Sequence, residues 1–381
     1  MPILTHIWSF AVYVVPFIFV LSLVVFFHEL GHFLVGRWCG VRVDAFSLGF
    51  GPELFGFYDR HGTRWRFAAL PLGGYVKFHG DANGASMVDA KAAANMPEAE
   101  RAVSFFAQKV WKRAAIVVAG PLANFILAIV IFSGIFYVNG RNILLPVVDG
   151  VTAGSAAEGA GFQPGDLIVA IGDEKINSFE DMQRIVQVSS DQALTFIVDR
   201  QGKELMLIAT PRRREIATPL GTTRVGVLGI ESRGKPENWH LQHYSAAESV
   251  HLAVNETWYV VTRTGAYVRG LVTGRESAEQ MSGVIGIAQA SGEMAKIGLA
   301  ALLNLAAILS ISVGILNLLP IPLLDGGHLF YYAVEAVQGR AMNERAQAFG
   351  FKIGLTLVAA LMIFATYNDI LRLTRQLMHW G

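Results

Sequence analysis

Four stretches of the chain, approximately 7–35, 114–138, 299–319 and 353–371, are almost continuously apolar. Each meets or approaches the roughly 20 residues that a helix rising 1.5 Å per residue needs to cross a hydrocarbon core of about 30 Å. The pattern predicts four membrane spans. Polar groups interrupt two of them: His28, Glu29 and His32 in the first, Asn304 and Asn317 in the third. Such side chains are costly in lipid and normally face a protein interior or a water-filled cavity. No basic n-region precedes the first run, which is also longer than the apolar core of a cleaved signal, so it is expected to be a retained span.

Between the spans the periodicity changes. "VRVDAFSLGFGPELFGF" (41–57) and "TRWRFAALPLGGYVKF" (63–78) alternate polar and apolar residues, are rich in β-branched and aromatic types, and predict short strands punctuated by Gly and Pro. Residues 80–104 show no clear period and read as a surface loop. The 147–230 stretch is less hydrophobic, with strand-like runs ("DLIVAIG", "LTFIVDR", "ELMLIAT", "RVGVLGI") and one helical run ("SFEDMQRIVQVSS"), which predict a small domain of mixed strands and helix. From Val250 to Val272, apolar or small residues recur at the helical period, while Glu256, Arg263 and Arg269 fall off that stripe. An amphipathic helix lying on the membrane or packed on its neighbours is expected there.

Composition agrees with the pattern. Of 381 residues 53% are hydrophobic and only 16% charged, outside the usual range for soluble domains. A formal net charge of +1, with no basic domain or tail, argues against a nucleic-acid partner. The single cysteine, Cys39, cannot form an intrachain disulfide. Arg and Lys are concentrated between the first two spans, from Arg37 to Arg113, which makes that connection cytoplasmic by the positive-inside rule. Both termini and the 139–298 segment are then expected on the opposite side, although Arg372 and Arg375 run against that orientation.

"HELGH" (28–32) is H-E-x-x-H. On a helix, positions i and i+4 share a face, so His28 and His32 can place imidazole nitrogens on one zinc ion. Glu29, about 100° further round, can serve as general base toward a water in an open zinc position. A catalytic zinc typically takes three protein ligands, so a third must come from elsewhere. Asp325, in "NLLPIPLLDGGHLF" after the third span, is the only carboxylate between Glu293 and Glu335. Pro320 and Pro322 should break the helix there, and Gly326 and Gly327 should let the backbone turn closely beneath the aspartate. His328 is a rival ligand, and Asp325 could instead be a helix cap at the membrane edge.

These residues give the chain a resemblance to the site-2 protease family of intramembrane zinc metallopeptidases, of the bacterial regulator of sigma-E protease type. The matching pieces are "HELGH", "GFGP" (49–52), "PLGGYVKF" (71–78), "GPLAN" (120–124) and "NLLPIPLLDGG" (317–327), which with the span order cover nearly the whole chain. The resemblance implies Zn2+ held by His28, His32 and Asp325, Glu29 as catalytic base, and Asn317 holding the substrate backbone. It implies a membrane α-helical fold of four transmembrane helices with a cytoplasmic-side, membrane-associated β-hairpin. "AGFQPGDLIVAIGDEKI" (160–176) is similar to PDZ domains, implying one extracytoplasmic PDZ-like α+β domain where family members often carry two. Expected segments are 1–40 (first span), 41–112 (hairpin and loop), 113–140 (second span), 141–235 (PDZ-like), 236–298 (amphipathic connector), 299–330 (third span) and 331–381 (fourth span and C-terminus). The implied setting is a bacterial inner membrane, crossed several times. The implied partners are membrane lipid and single-span membrane protein substrates such as anti-sigma factors or remnant signal peptides. Two other readings of the residues stay open: a CAAX-type membrane zinc protease with Glu335 as third ligand, and a non-catalytic PDZ scaffold with structural histidines.

Overall fold

In hydrocarbon every backbone N–H and C=O must be satisfied within its own segment, so apolar runs of this length have to be helical. The computed structural model describes residues 2–81, 96–218, 221–232, 234–273, 282–340 and 342–378. Among them are four helical stretches long and apolar enough to cross a membrane: Ala11–Trp38, Val110–Asn139, Leu299–Leu318 and Arg345–Thr374. This is a membrane protein. The chain divides into two compact units, one formed by Met1–Ile135, Glu248–Tyr267 and Ala278–Gly381, the other by Phe136–Ala247 and Val268–Ser277.

The first unit begins with α1 (Pro2–Trp38), which runs into β1 (Val43–Tyr58) and β2 (Arg64–Phe78). Both strands fold back on themselves. Ala45–Leu48 lie beside Lys77–Gly74 and also beside Arg64–Phe67, while Glu53–Tyr58 pair with Ala68–Arg64. The bend in β1 falls at Gly49 and Gly51, whose φ values of 89° and 88° favour a residue without Cβ. Gly74–Phe78 thereby becomes an edge segment. Phe33, Phe46, Val76, Phe78 and Ile116 form the core beneath the strands, whereas Leu54, Phe55 and Tyr58 at the far end are exposed. Arg37, in the last turn of α1, fixes the turn by pairing with Asp59 and donating to Thr63 Oγ1 at 3.0 Å.

Of the expected surface loop at 80–104, residues 82–95 lie outside the described residues, and Glu98–Ala102 form the short helix α2. Helix α3 (Val110–Asn139) is the second span and contains Pro121. It approaches α1 closely, because a Cβ on Gly31 would overlap the Ala119 carbonyl; small residues at such contacts let membrane helices pack backbone to backbone.

The second unit contains β3 (Arg141–Leu144), β4 (Gly150–Val151), α4 (Ala156–Ala160), β5 (Leu167–Ile171), β6 (Glu174–Lys175), α5 (Phe179–Val188), β7 (Leu194–Arg200), β8 (Lys203–Ala209), β9 (Arg212–Thr218), β10 (Gly221–Val227), β11 (Ile230–Glu231) and β12 (Trp239–Gln242). Strands β6-β5-β7-β8 form one sheet in that order, while β9 pairs with β10, β4 with β11 and β3 with β12. Alternation in β5 and β7 sends Ile168, Phe196 and Val198 into a fully enclosed apolar core. Ser178 and Asp181 form a capping box at the start of α5. The β3–β12 pairing draws Trp239–Gln242 into this unit, past the 141–235 segment read from sequence.

Helix α6 (Ala246–Val272) contains the amphipathic stripe, and its sidedness departs from simple expectation. The apolar Val250, Val254 and Trp258 are exposed, while Ser249, Ala253 and Thr257 are buried. The inward face is the one with small side chains, and the larger apolar residues point outward. Helix α7 (Val284–Ile297) lies along α1, with Gly292 against the Tyr13 ring. Helices α8 (Leu299–Leu318), α9 (Asp325–Gln338) and α10 (Glu344–Met378) complete the first unit.

Candidate metal centre

The site is assembled from α1, α3 and the first turn of α9. On α1, one helical turn separates His28 from His32, and both side chains are buried. Their Nε2 atoms stand 3.3 Å apart. Asp325 reaches them from the first turn of α9, with Oδ2 at 3.2 Å from His28 Nε2 and Oδ1 at 3.6 Å from His32 Nε2. One ligand atom from each of the three residues falls within 4.8 Å of the others, and among the described residues no other group of histidines, cysteines and acids does this. Tetrahedral zinc with bonds of 2.0–2.2 Å separates its ligand atoms by about 3.3 Å, so the observed spacings suit one ion. The donor chemistry also fits, since Asp325 Oδ2 is buried without a hydrogen-bond partner, an arrangement that a cation resolves.

Asp325 is held there by a strained and crowded turn. Helix α8 ends at Leu318, ahead of Pro320 and Pro322. The connecting residues include Leu323 with φ 101°, a value that costs a bulky residue free energy and recurs at functional sites. Gly326 and Gly327 are required for a different reason from a positive φ. A Cβ on Gly326 would overlap the Leu319 carbonyl, and one on Gly327 would lie 2.5 Å from the Ile321 carbonyl oxygen. The start of α9 is thus packed on the backbone of the preceding turn. Leu324, not Asp325, occupies the N-cap position, so the aspartate is not spent as a helix cap.

Glu29 lies on the side of α1 facing β2. Gly74 packs on it, since a Cβ there would sit 3.2 Å from Glu29 Cγ. The edge segment Gly74–Phe78 therefore begins against this side chain. Asn317 is half-buried in the last turn of α8 and, among the described residues, its amide has no protein hydrogen-bond partner. His328 is not one of the three converging residues; its ring stands 6.4 Å from those of Tyr331 and Tyr332. Glu335 is engaged elsewhere, accepting from Arg113 at 2.6 Å in a partly buried pair, with the guanidinium 4.9 Å over the Tyr332 ring.

The sequence reading missed the contribution of the second span. Asn124 on α3 is fully enclosed and its side-chain amide lies 3.1 Å from His28 Nδ1. The Ile116 carbonyl lies 2.9 Å from His32 Nδ1. Between them, Gly120 leaves room for the imidazoles, because a Cβ there would overlap His32 Nε2 and come within 3.0 Å of His28 Cε1. The available signal was Asn124 itself, an amide in the middle of an apolar run; a backbone carbonyl leaves no trace in a residue pattern.

The chain is similar to known proteins over most of its length. Residues 16–361 match the model described as peptidase family M50. A protein of Agrobacterium fabrum (strain C58) that carries a zinc-metalloprotease name is 51% identical over 359 residues, covering 94% of this chain and 95% of the relative. A Rhizobium meliloti protein named in the same way is 48% identical over 360 residues, covering 94% and 96%. Metalloprotease MmpA of Caulobacter vibrioides is 40% identical over 387 residues, covering 96% of each chain.

Proposed function

Because the chain belongs to peptidase family M50 and is a membrane protein, we propose that it is an intramembrane zinc metalloendopeptidase acting on the transmembrane segments of single-span membrane proteins. Anti-sigma factors and signal-peptide remnants are the substrate types, and the setting is a bacterial inner membrane that the chain crosses several times. The observation that carries this reading is the convergence of His28, His32 and Asp325 with zinc-like spacing at the end of an apolar helix. His28, His32 and Asp325 would hold the zinc, which would supply Lewis acidity toward the scissile carbonyl and toward water.

The chain's own groups do the rest. Glu29 takes the proton of the attacking water and returns it to the leaving amine. A peptide bond inside a helix is shielded from attack, so the substrate has to be extended at the cut. The edge segment Gly74–Phe78 beside Glu29 offers backbone groups for strand addition. The Asn317 amide, donor and acceptor in one group, orients the substrate backbone. The hairpin is read as membrane-associated, in keeping with its exposed Leu54, Phe55 and Tyr58. The second unit is read as PDZ-like: between α5 and Val225–Ile230 lies a cavity of about 260 Å³ lined by Met182, Val186 and Leu228, a shape that suits an extended peptide.

The test is Glu29→Gln in the full-length protein reconstituted with a single-span reporter substrate. Cleavage should fall by at least about 100-fold, the contribution of a positioned general base, with zinc content unchanged. Retained cleavage would overturn the assignment.

A further inference from the structure

Resting on the zinc site just proposed, we infer that Asn124 is a positioning residue that accepts the Nδ1 proton of His28 and so keeps the Nε2 lone pair on the metal. A neutral imidazole has one N–H and one lone pair. Both Nε2 atoms converge on the Asp325 carboxylate, so Nε2 is the metal-facing nitrogen and Nδ1 must carry the proton. That proton needs a buried acceptor behind each ring. For His32 the acceptor is the Ile116 carbonyl at 2.9 Å.

For His28 the group at Nδ1, among the described residues, is the Asn124 amide at 3.1 Å, placed with its nitrogen toward the ring and its Oδ1 enclosed without a partner. Oxygen and nitrogen of an amide exchange by a half-turn, and that assignment is set by the hydrogen-bond network. Turning the Asn124 amide brings the unpartnered oxygen onto the His28 N–H, the one arrangement compatible with a ligating Nε2. Ile116, Gly120 and Asn124 are spaced four residues apart on α3 and share one face. That face presents an acceptor, a gap and an acceptor to the two imidazoles. Ser310 on α8 donates to the Asn124 backbone carbonyl at 2.9 Å, tying the same turn to the third span.

The experiment measures zinc affinity of the purified full-length protein by competition with a chelator, alongside the melting temperature of the metal-free form. Asn124→Leu, similar in volume and without an acceptor, should weaken zinc binding by about 10- to 100-fold, the usual effect of losing a partner behind a ligating histidine. Its metal-free melting temperature should change little, because the exchange conserves volume and, without zinc, His28 can carry its proton on Nε2 instead. Asn124→Asp, which keeps an acceptor at the same position, should bind zinc within about threefold of the wild type. Wild-type affinity in Asn124→Leu, or a loss in Asn124→Asp equal to that in Asn124→Leu, would overturn the role while leaving the zinc site standing. Wild-type protein that takes up no zinc would overturn both.

Discussion

Asp325 and Asp369 are both carboxylates set among the helices of the first unit, yet their surroundings are opposite. Asp369 on α10 is buried and accepts from the backbone N–H groups of Gly283 at 3.1 Å and Gly286 at 2.9 Å, closing the start of α7. Its partners are N–H groups at a helix start, which have no partner within the helix. Asp325 instead faces two imidazole nitrogens and leaves Oδ2 without a hydrogen bond. A carboxylate met by backbone donors is complete within the protein, whereas one met by lone-pair-bearing side chains calls for a cation. Depth in the membrane unit alone does not mark a functional acid; the chemistry of its neighbours does.

Removing each acid tests that distinction. Asp325→Ala leaves two of three ligands, and with on the order of 3 kcal/mol per ligand zinc affinity should drop about a hundredfold or more and cleavage should disappear; metal analysis after dialysis checks it. Zinc retained in full would break the contrast. Glu335→Ala strands the partly buried Arg113 guanidinium, so the unfolding free energy should fall by about 3 kcal/mol with zinc affinity unchanged. Zinc lost from that variant would make Glu335 a ligand and revive the CAAX-type reading. Asp369→Ala should cost about 1–2 kcal/mol through the two orphaned N–H groups and leave zinc content intact, as read by thermal unfolding and metal analysis.

The smallest effect concerns Asp59, in the turn between β1 and β2. Partial burial would raise its pKa, but N–H groups of Thr63, His61 and Trp65 and the Arg37 guanidinium outweigh that and hold it at about 2. A depressed pKa contributes stability above the unfolded-state value near 3.8, and the contribution is lost as pH falls through about 2. Asp59→Asn should therefore flatten the decline in stability between pH 4 and pH 2, measured by denaturant unfolding. An unchanged decline would mean that the turn does not depend on this charge.

Much of the site was legible because it is local. A single helical turn fixes His28 and His32 on one face, and "LPIPLLDGG" announces a broken helix with one acid at its end. Other features depend on which surfaces meet. Arg113 and Glu335 are 222 residues apart, and nothing in either segment announces the other. The fold-back of β1 and β2, which makes Gly74–Phe78 an edge beside Glu29, is set by cross-strand register, not by alternation alone. The stripe on α6 was correctly periodic, but period does not say whether lipid or protein covers the apolar face.

The sequence by itself determined the four apolar spans, the strand segments and the residue types at the centre, because each follows from short-range periodicity and the cost of polar groups in hydrocarbon. Tertiary structure alone decided that Asp325 meets the histidines, that Asn124 and the Ile116 carbonyl stand behind them, and that Glu335 and Asp369 are engaged elsewhere. Those outcomes rest on contacts between helices remote in the chain, where a difference of an ångström separates a ligand from a neighbour.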